Sequence, residues 1–322
     1  MAVYTEVSDK KLSAFLALYG VGGLVRKTPI AEGVENTNYR IETDGGVFIL
    51  TLFEKRTKAD DLPFFMGLTA HLSRAGLPVA APVARNDGAL IGRLAERPAA
   101  LIEFLPGRPV MAPAGKHCAA LGERLADLHD AVAGFAMSRK NPLSLEGWRA
   151  LAAACGSDAD RCAPGLAALI AEELDALEAA WPQSLPAGVA HTDLFPDNVL
   201  FHEGRIAGII DFYFSCTDFF AYDLAVCVNA WCFGEDRTLI AANAENLMAA
   251  YLEKRNVSEA ERRAFPTLLR GAALRFLLTR LYDWLNQVDG AMVTVKDPLE
   301  FRDILLFHRE RYAPGHYGFS DD

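Results

Sequence analysis

Leu12, Phe15, Leu16 and Tyr19 recur at helical spacing and Gly20 ends the run, so the chain begins with a short amphipathic helix. From Asn38 to Phe53 the pattern becomes that of two strands joined at Asp44-Gly45-Gly46, a strong hairpin signal. In the second strand Phe48, Leu50 and Leu52 share one face, while Val47, Ile49, Thr51 and Phe53 share the other, so both faces are largely apolar. A helix is predicted from about Asp60 to Arg74, closed by Gly76. Short strands are predicted around the Asn86-Asp87-Gly88 turn and along Ala99 to Leu105.

Pro106-Gly107 breaks this strand-rich pattern, and from Pro113 onward the chain reads as mostly helical. Leu121, Leu125 and Leu128 keep helical spacing, and Gly165 to Ala180 is rich in Ala, Glu and Leu. The helical part is interrupted between Ala187 and Phe214. Val189-Ala190 is a short apolar stub, and His191 to Asn198 is a polar turn containing Pro196. Val199 to Phe201 and Arg205 to Ile210 read as two strands around a tight Glu203-Gly204 turn, the second ending on Asp211. Polar residues gather at the two ends of this hairpin, where chemistry belongs.

Taken with a length of 322 residues, the pattern predicts an α+β protein of two lobes. Residues 1–105 form a small antiparallel-sheet lobe and residues 106–322 a larger, mainly helical lobe. The formal net charge of −10 offers no basic surface for a phosphodiester backbone, which argues against nucleic-acid binding. The most hydrophobic stretch, Ile206 to Phe233, is interrupted by Asp211, Asp218 and Asp223, so no membrane span is expected. The start lacks a basic flank followed by a long apolar run, which makes the cytoplasm the expected location. None of the six cysteines forms a CxxC pair, and buried free thiols are expected in place of disulfides or zinc ligands. Nothing here fixes the oligomeric state.

Asp193, Asn198 and Asp211 are the side chains that suggest a reaction. A hairpin turning at Glu203-Gly204 would bring Asn198, before its first strand, beside Asp211, at the end of its second, with Asp193 on the same loop. A carboxylate and an amide are oxygen ligands of the kind Mg²⁺ prefers. Asp193 is then free to accept a proton, and together the trio meets the needs of phosphoryl transfer.

The run His191-Thr192-Asp193-Leu194-Phe195-Pro196-Asp197-Asn198, followed by Ile209-Ile210-Asp211-Phe212, resembles the catalytic and metal-binding loops of the aminoglycoside phosphotransferase and choline kinase superfamily. That resemblance implies a protein-kinase-like fold, ATP and Mg²⁺, Asp193 as catalytic base, Asn198 and Asp211 as metal ligands, and a loop-anchoring role for His191. It also places a nucleotide-positioning loop at Glu32 to Tyr39, with Gly33, Asn36, Thr37 and Asn38 near the phosphates. Glu103 and Leu105 fall where this fold has its adenine-binding hinge. The third strand reads Phe-Ile-Leu-Thr-Leu-Phe-Glu-Lys, with Thr51 where the superfamily usually has a phosphate-binding lysine. Either Lys55 reaches back, or metal and main chain do the lysine's work, or the chain binds nucleotide without transferring phosphate.

Within the superfamily the chain is most similar to the homoserine kinase branch, through Gly33 to Tyr39, Leu50 to Glu54, Glu103 to Gly107, Asp218 to Phe233 and Leu274 to Tyr282. In that branch a third strand without lysine is the usual form. The resemblance implies L-homoserine as the small-molecule substrate and O-phospho-L-homoserine, on the route to threonine, as product. A carboxylate clamp would come from Arg275 or Arg280, about 140° apart on a predicted helix, so that only one faces the substrate. Asp218 and Tyr222 are candidates for orienting the ammonium group, with helix capping the alternative for Asp218 and Asp223 and a salt-bridged face the alternative for Arg280. Trp231 and Phe233 are expected in the core. Two rivals stay open: a kinase for choline, ethanolamine, another hydroxylated amino acid or an aminoglycoside, and a nucleotide-binding scaffold without activity.

Overall fold

The computed structural model describes residues 5–30, 36–54, 57–287, 295–310, 317 and 319. Backbone proximity divides the chain into two units, Met1–Arg108 with Leu200–His202 and Ala207–Tyr213, and Pro109–Val199 with Glu203–Ile206 and Phe214–Asp322. The division thus differs from a single cut near residue 106, because parts of the 199–213 hairpin group with the first unit.

The first unit holds a five-stranded sheet in the order β1-β2-β3-β5-β4. Its strands are β1 (Leu24–Pro29), β2 (Thr37–Thr43), β3 (Gly46–Leu52), β4 (Gly92–Leu94) and β5 (Arg97–Glu103). The β2-β3 hairpin closes on Thr43↔Gly46, leaving Asp44-Gly45 at the tip, as expected of an Asp-Gly pair. α1 (Asp9–Leu16) is capped by Ser8, whose hydroxyl accepts from Lys11 N–H at 3.4 Å. It lays Leu12, Phe15 and Leu16 against Tyr39, Ile41, Leu50, Leu52, Ala99 and Leu101, all buried. Each Leu, Ile or Phe among them contributes about 1.5–3 kcal/mol by leaving water. α2 (Leu62–Arg74) completes the unit's regular helices.

The second unit is built from α3 (Gly115–Ala131), α4 (Leu145–Cys155), α5 (Leu166–Ala180), α6 (Phe220–Trp231), α7 (Ala241–Lys254), α8 (Glu259–Leu285) and α9 (Pro298–Arg309). β7 (Ala187–Ala190) pairs antiparallel with β10 (Cys216–Phe219), from Cys216↔Ala190 to Phe219↔Ala187. β6 (Arg108–Pro109), β8 (Val199–His202) and β9 (Arg205–Ile209) form a third, small sheet in the order β6-β8-β9. α3 packs closely along α7: a Cβ on Gly122 would fall on the carbonyl of Leu247, so only glycine allows this approach. α6 is buried on nearly every side, including Tyr222, Asp223, Asn229 and Trp231. α8 starts with a capping box in which Ser258 Oγ accepts from Glu261 N–H at 3.3 Å and Glu261 accepts from Ser258 N–H at 2.8 Å. All six cysteines are free thiols, five of them buried. No helix among the described residues is long and apolar enough to cross a membrane.

Candidate active site

β7 ends at Ala190 and its partner β10 begins at Cys216, so the pairing fixes where the loop beginning at His191 leaves the sheet. Thr192, the second residue of this loop, has φ +60°, a conformation that a β-branched residue enters at a cost of about 1–3 kcal/mol. The strain is held from several sides. Asp223, wholly buried in α6, accepts from His191 N–H at 2.8 Å and from Thr192 N–H at 2.7 Å. The Thr192 hydroxyl donates to Phe214 O at 3.1 Å, and the Arg275 guanidinium donates to Thr192 O. Trp231 Nε1 donates to Leu194 O at 2.8 Å. His191 is buried and its Nδ1 accepts from Asp193 N–H at 3.3 Å, an anchoring contact.

Behind Asp223 lies a second layer. His129 Nε2 donates to Asp223 at 3.1 Å, and His129 Nδ1 accepts from the Tyr251 hydroxyl at 2.8 Å. This tautomer is assigned from the network, because Tyr251 Oη itself accepts from Arg255 at 3.1 Å. Burial pushes the His129 pKa down, outweighing the pull of Asp223, so the ring is neutral. Burial would raise the Asp223 pKa, but the hydrogen bonds it accepts from His129 and from His191 N–H hold it below the usual carboxylate range.

In the second unit, the loop therefore presents Asp193, only partly buried, beside Asn198. Asn198 Nδ2 donates to Asp193 O at 2.7 Å and approaches Asp193 Oδ2 at 3.3 Å, which turns its Oδ1 away as an oxygen donor of the type magnesium takes. Arg275 Nη2 lies 3.8 Å from Asp193 Oδ1. The Arg275 side chain is 2 % exposed, and its guanidinium lies over the rings of Phe276 at 4.5 Å and Phe214 at 5.6 Å. Near it, Tyr222 Oη, Ser215 Oγ and Arg275 Nε are buried without a hydrogen-bond partner. Asp218 accepts from Asn141 Nδ2 at 2.6 Å and from Phe219 N–H at 2.7 Å. Burial outweighs those bonds and raises the Asp218 pKa, while Arg275 pulls it down.

Arg280 stands apart from this group. It donates to Glu300 at 2.6 Å and Asp297 O at 3.2 Å and covers the Phe301 ring at 4.4 Å, so it fastens α8 to α9. Its Nη1 and its stacking face are thus engaged between the two helices, the salt-bridged setting that is the alternative to a substrate clamp.

The first unit contains the other expected site residues that are described. Asn36 and Thr37 are buried, and both meet Glu54: Thr37 Oγ1 donates to its carboxylate at 2.9 Å, and Asn36 Oδ1 accepts its N–H at 3.2 Å. Both side chains thus hold the end of β3. Asn38 Oδ1 accepts from Thr51 Oγ1 at 2.8 Å, so where the lysine was expected there is a buried hydroxyl locked to its neighbour strand. Glu103 closes the β3-β5 ladder opposite Phe48, and its N–H donates to Ala81 O at 2.9 Å. Leu105 packs over Gly208, where an added Cβ would meet its Cδ1 at 2.9 Å. Asp211, exposed at the end of the strand pair that Asn198 begins, has φ +62°. Gly33 and Lys55 lie outside the described residues. Among the described residues no group of three or more His, Cys, Asp and Glu could hold a metal ion. Magnesium sites that use one or two carboxylates with waters and phosphates need no such cage.

Sequence reasoning missed His129, Tyr251, Asn141 and the loop-holding role of Trp231. Asp223 carried a signal, being the acid of the Tyr222-Asp223-Leu224 run, but helix capping explained it equally well. In the structure it serves the loop instead.

Residues 27–262 match the phosphotransferase enzyme family. A homoserine kinase of Xanthobacter autotrophicus is 54% identical over 99% of this chain and 100% of its own length. One of Rhodospirillum rubrum is 53% identical over the same shares. Among solved structures, a spectinomycin phosphotransferase in complex with ADP and spectinomycin superposes with a TM-score of 0.72 at 13% identity, over 97% of this chain and 100% of that one. A match over most of the chain, relatives this similar from end to end and a shared fold lead to one conclusion: the chain belongs to the phosphotransferase enzyme family.

Proposed function

We propose that this protein transfers the terminal phosphate of ATP to the side-chain hydroxyl of L-homoserine. The observation that carries the reading is 54% identity, end to end, with a protein named homoserine kinase. Asp193 accepts the hydrogen bond of the substrate hydroxyl and takes its proton as the new oxygen–phosphorus bond forms. Asn198 and Asp211 would hold Mg²⁺, which would supply neutralisation of the phosphate charge. Asp218, with Asn141 fixing its carboxylate, orients the ammonium group, and Tyr222 lies behind it. In a purified preparation with Mg-ATP, ADP release is expected with homoserine and not with choline, kanamycin or serine. Turnover of another of these alcohols in place of homoserine would replace the substrate. ATP binding without any turnover would favour the scaffold.

Arg275 acts in this reading as a positioning residue, because its guanidinium is buried and bonded to Thr192 O, next to Asp193. Arg275→Lys keeps the charge and loses the planar fork. A displacement of Asp193 by about an ångström lowers kcat roughly 10²-fold. KM for homoserine should stay near that of the parent. A large rise in KM with kcat preserved would instead make Arg275 the carboxylate clamp.

A further inference from the structure

A concavity entirely within the first unit plays no part in that chemistry. Leu18, Ala59, Leu62, Ile91, Gly92 and Pro98 line a cavity of about 490 Å³ together with two cations, Arg85 and Arg93. Volumes of roughly 300–1,000 Å³ are typical of small-molecule sites. Arg85 has one donor, Nη2, on Asp87 at 2.8 Å, while its Nε is buried with no partner. The Tyr19 hydroxyl, in a side chain 6% exposed, is also buried without a partner. It lies directly behind the wall, 3.3 Å from where a Cβ on Gly92 would stand, and only glycine leaves that approach open, since Phe15 would be met at 2.8 Å.

Two orphaned groups beside one cavity are unusual, because a buried donor without an acceptor costs about 1–3 kcal/mol. Of the two, Arg85 Nε belongs to a lining side chain, and an oxygen anion held there would satisfy it. The charges of Arg85, Arg93 and Asp87 sum to +1, so they match one negative charge better than a phosphate dianion, which Asp87 would repel. The remaining wall is apolar. The geometry points to a binding site for a small monocarboxylate that carries one apolar ring or branched chain, its carboxylate on Arg85 and Arg93 and its apolar part on Leu18, Leu62, Ile91 and Pro98.

The probe is 4-phenylbutanoate, titrated calorimetrically into the full-length protein, with its neutral amide as control. Saturable binding of the carboxylate is expected, with affinity at least about tenfold weaker in Arg85→Gln and in Arg93→Gln. The amide should give no saturable heat. Arg93 is exposed at the rim, so its replacement keeps the test sound if Arg85→Gln lowers stability. No saturable binding up to millimolar carboxylate, equal binding of the amide, or undiminished affinity in Arg93→Gln would overturn the assignment.

Discussion

Replacing Asp193 by Ala is expected to lower kcat by about 10²–10⁴-fold, the range contributed by a positioned general base. The fold should survive, because Asp193 is partly exposed and its loop is held by neighbours: Asp223 on the His191 and Thr192 N–H groups, Trp231 on Leu194 O. KM for ATP should therefore change little, and the unfolding midpoint should match that of the parent. A coupled assay of ADP release at saturating homoserine and Mg-ATP gives the rate. A rate within a few-fold of the parent would remove Asp193 from the chemistry. Asp193→Asn is the sharper comparison, since it keeps the shape and the contact with Asn198 but cannot take the proton.

Asp223→Ala is expected to have the largest effect on stability, about 3–5 kcal/mol, as when one partner of a buried charged network is removed. It leaves His191 N–H, Thr192 N–H and His129 Nε2–H facing each other with no acceptor, inside a part of the molecule closed to water. The strained φ of Thr192 then lacks its main restraint, so kcat should fall with stability. Urea unfolding followed by circular dichroism would measure the first effect, and an unchanged midpoint would show that the network is not what holds the loop.

The same pair sets a pH dependence. Both groups have folded pKa values below their ordinary ones, His129 through burial and Asp223 through the bonds it accepts. For such groups the unfolded chain binds protons first, so their stabilisation is complete above the unfolded pKa values and fades on acidification. Their contribution to the urea midpoint should be constant at neutral pH and begin to fall as pH drops through about 6.5, where unfolded His129 protonates. A second decline belongs below the ordinary carboxylate range, as pH passes the folded Asp223 value. A midpoint that rises between about pH 7 and 5 would contradict the assignment of a neutral His129 on an ionised Asp223.

The parts of the fold that could be read from sequence are those with a local cause. Asp44-Gly45 announces the β2-β3 turn, and the DxxxxN spacing with the later Asp211 marks the polar ends of the 199–213 hairpin. β10 was not legible, because Cys216-Thr217-Asp218-Phe219 has no alternation and becomes a strand only against β7. α8 runs through Pro266, a residue that argues for a break, because burial of residues such as Leu268, Leu274 and Leu277 outweighs the local penalty. The site shows the same limit. Asp193 and Asn198 stand five residues apart, whereas His129 reaches Asp223 across 94 positions and Tyr251 reaches His129 across 122. No spacing rule spans such distances. Helical spacing set Arg275 and Arg280 on different faces without saying which meets the substrate, and their surroundings, the Asp193 loop for one and α9 for the other, are visible only in the structure.

The glycine at position 122 then carries more than packing. It sits about two turns from His129 on α3, and Leu247, against which it rests, is about one turn from Tyr251 on α7. The backbone separation at that crossing decides whether the Tyr251 phenol still reaches the imidazole, 2.8 Å away. A larger residue there would wedge the two helices apart and withdraw support from Asp223, and so from the segment bearing Asp193, without altering any group that meets a substrate. A position with no chemistry of its own thereby becomes a hidden constraint on how this protein can diverge.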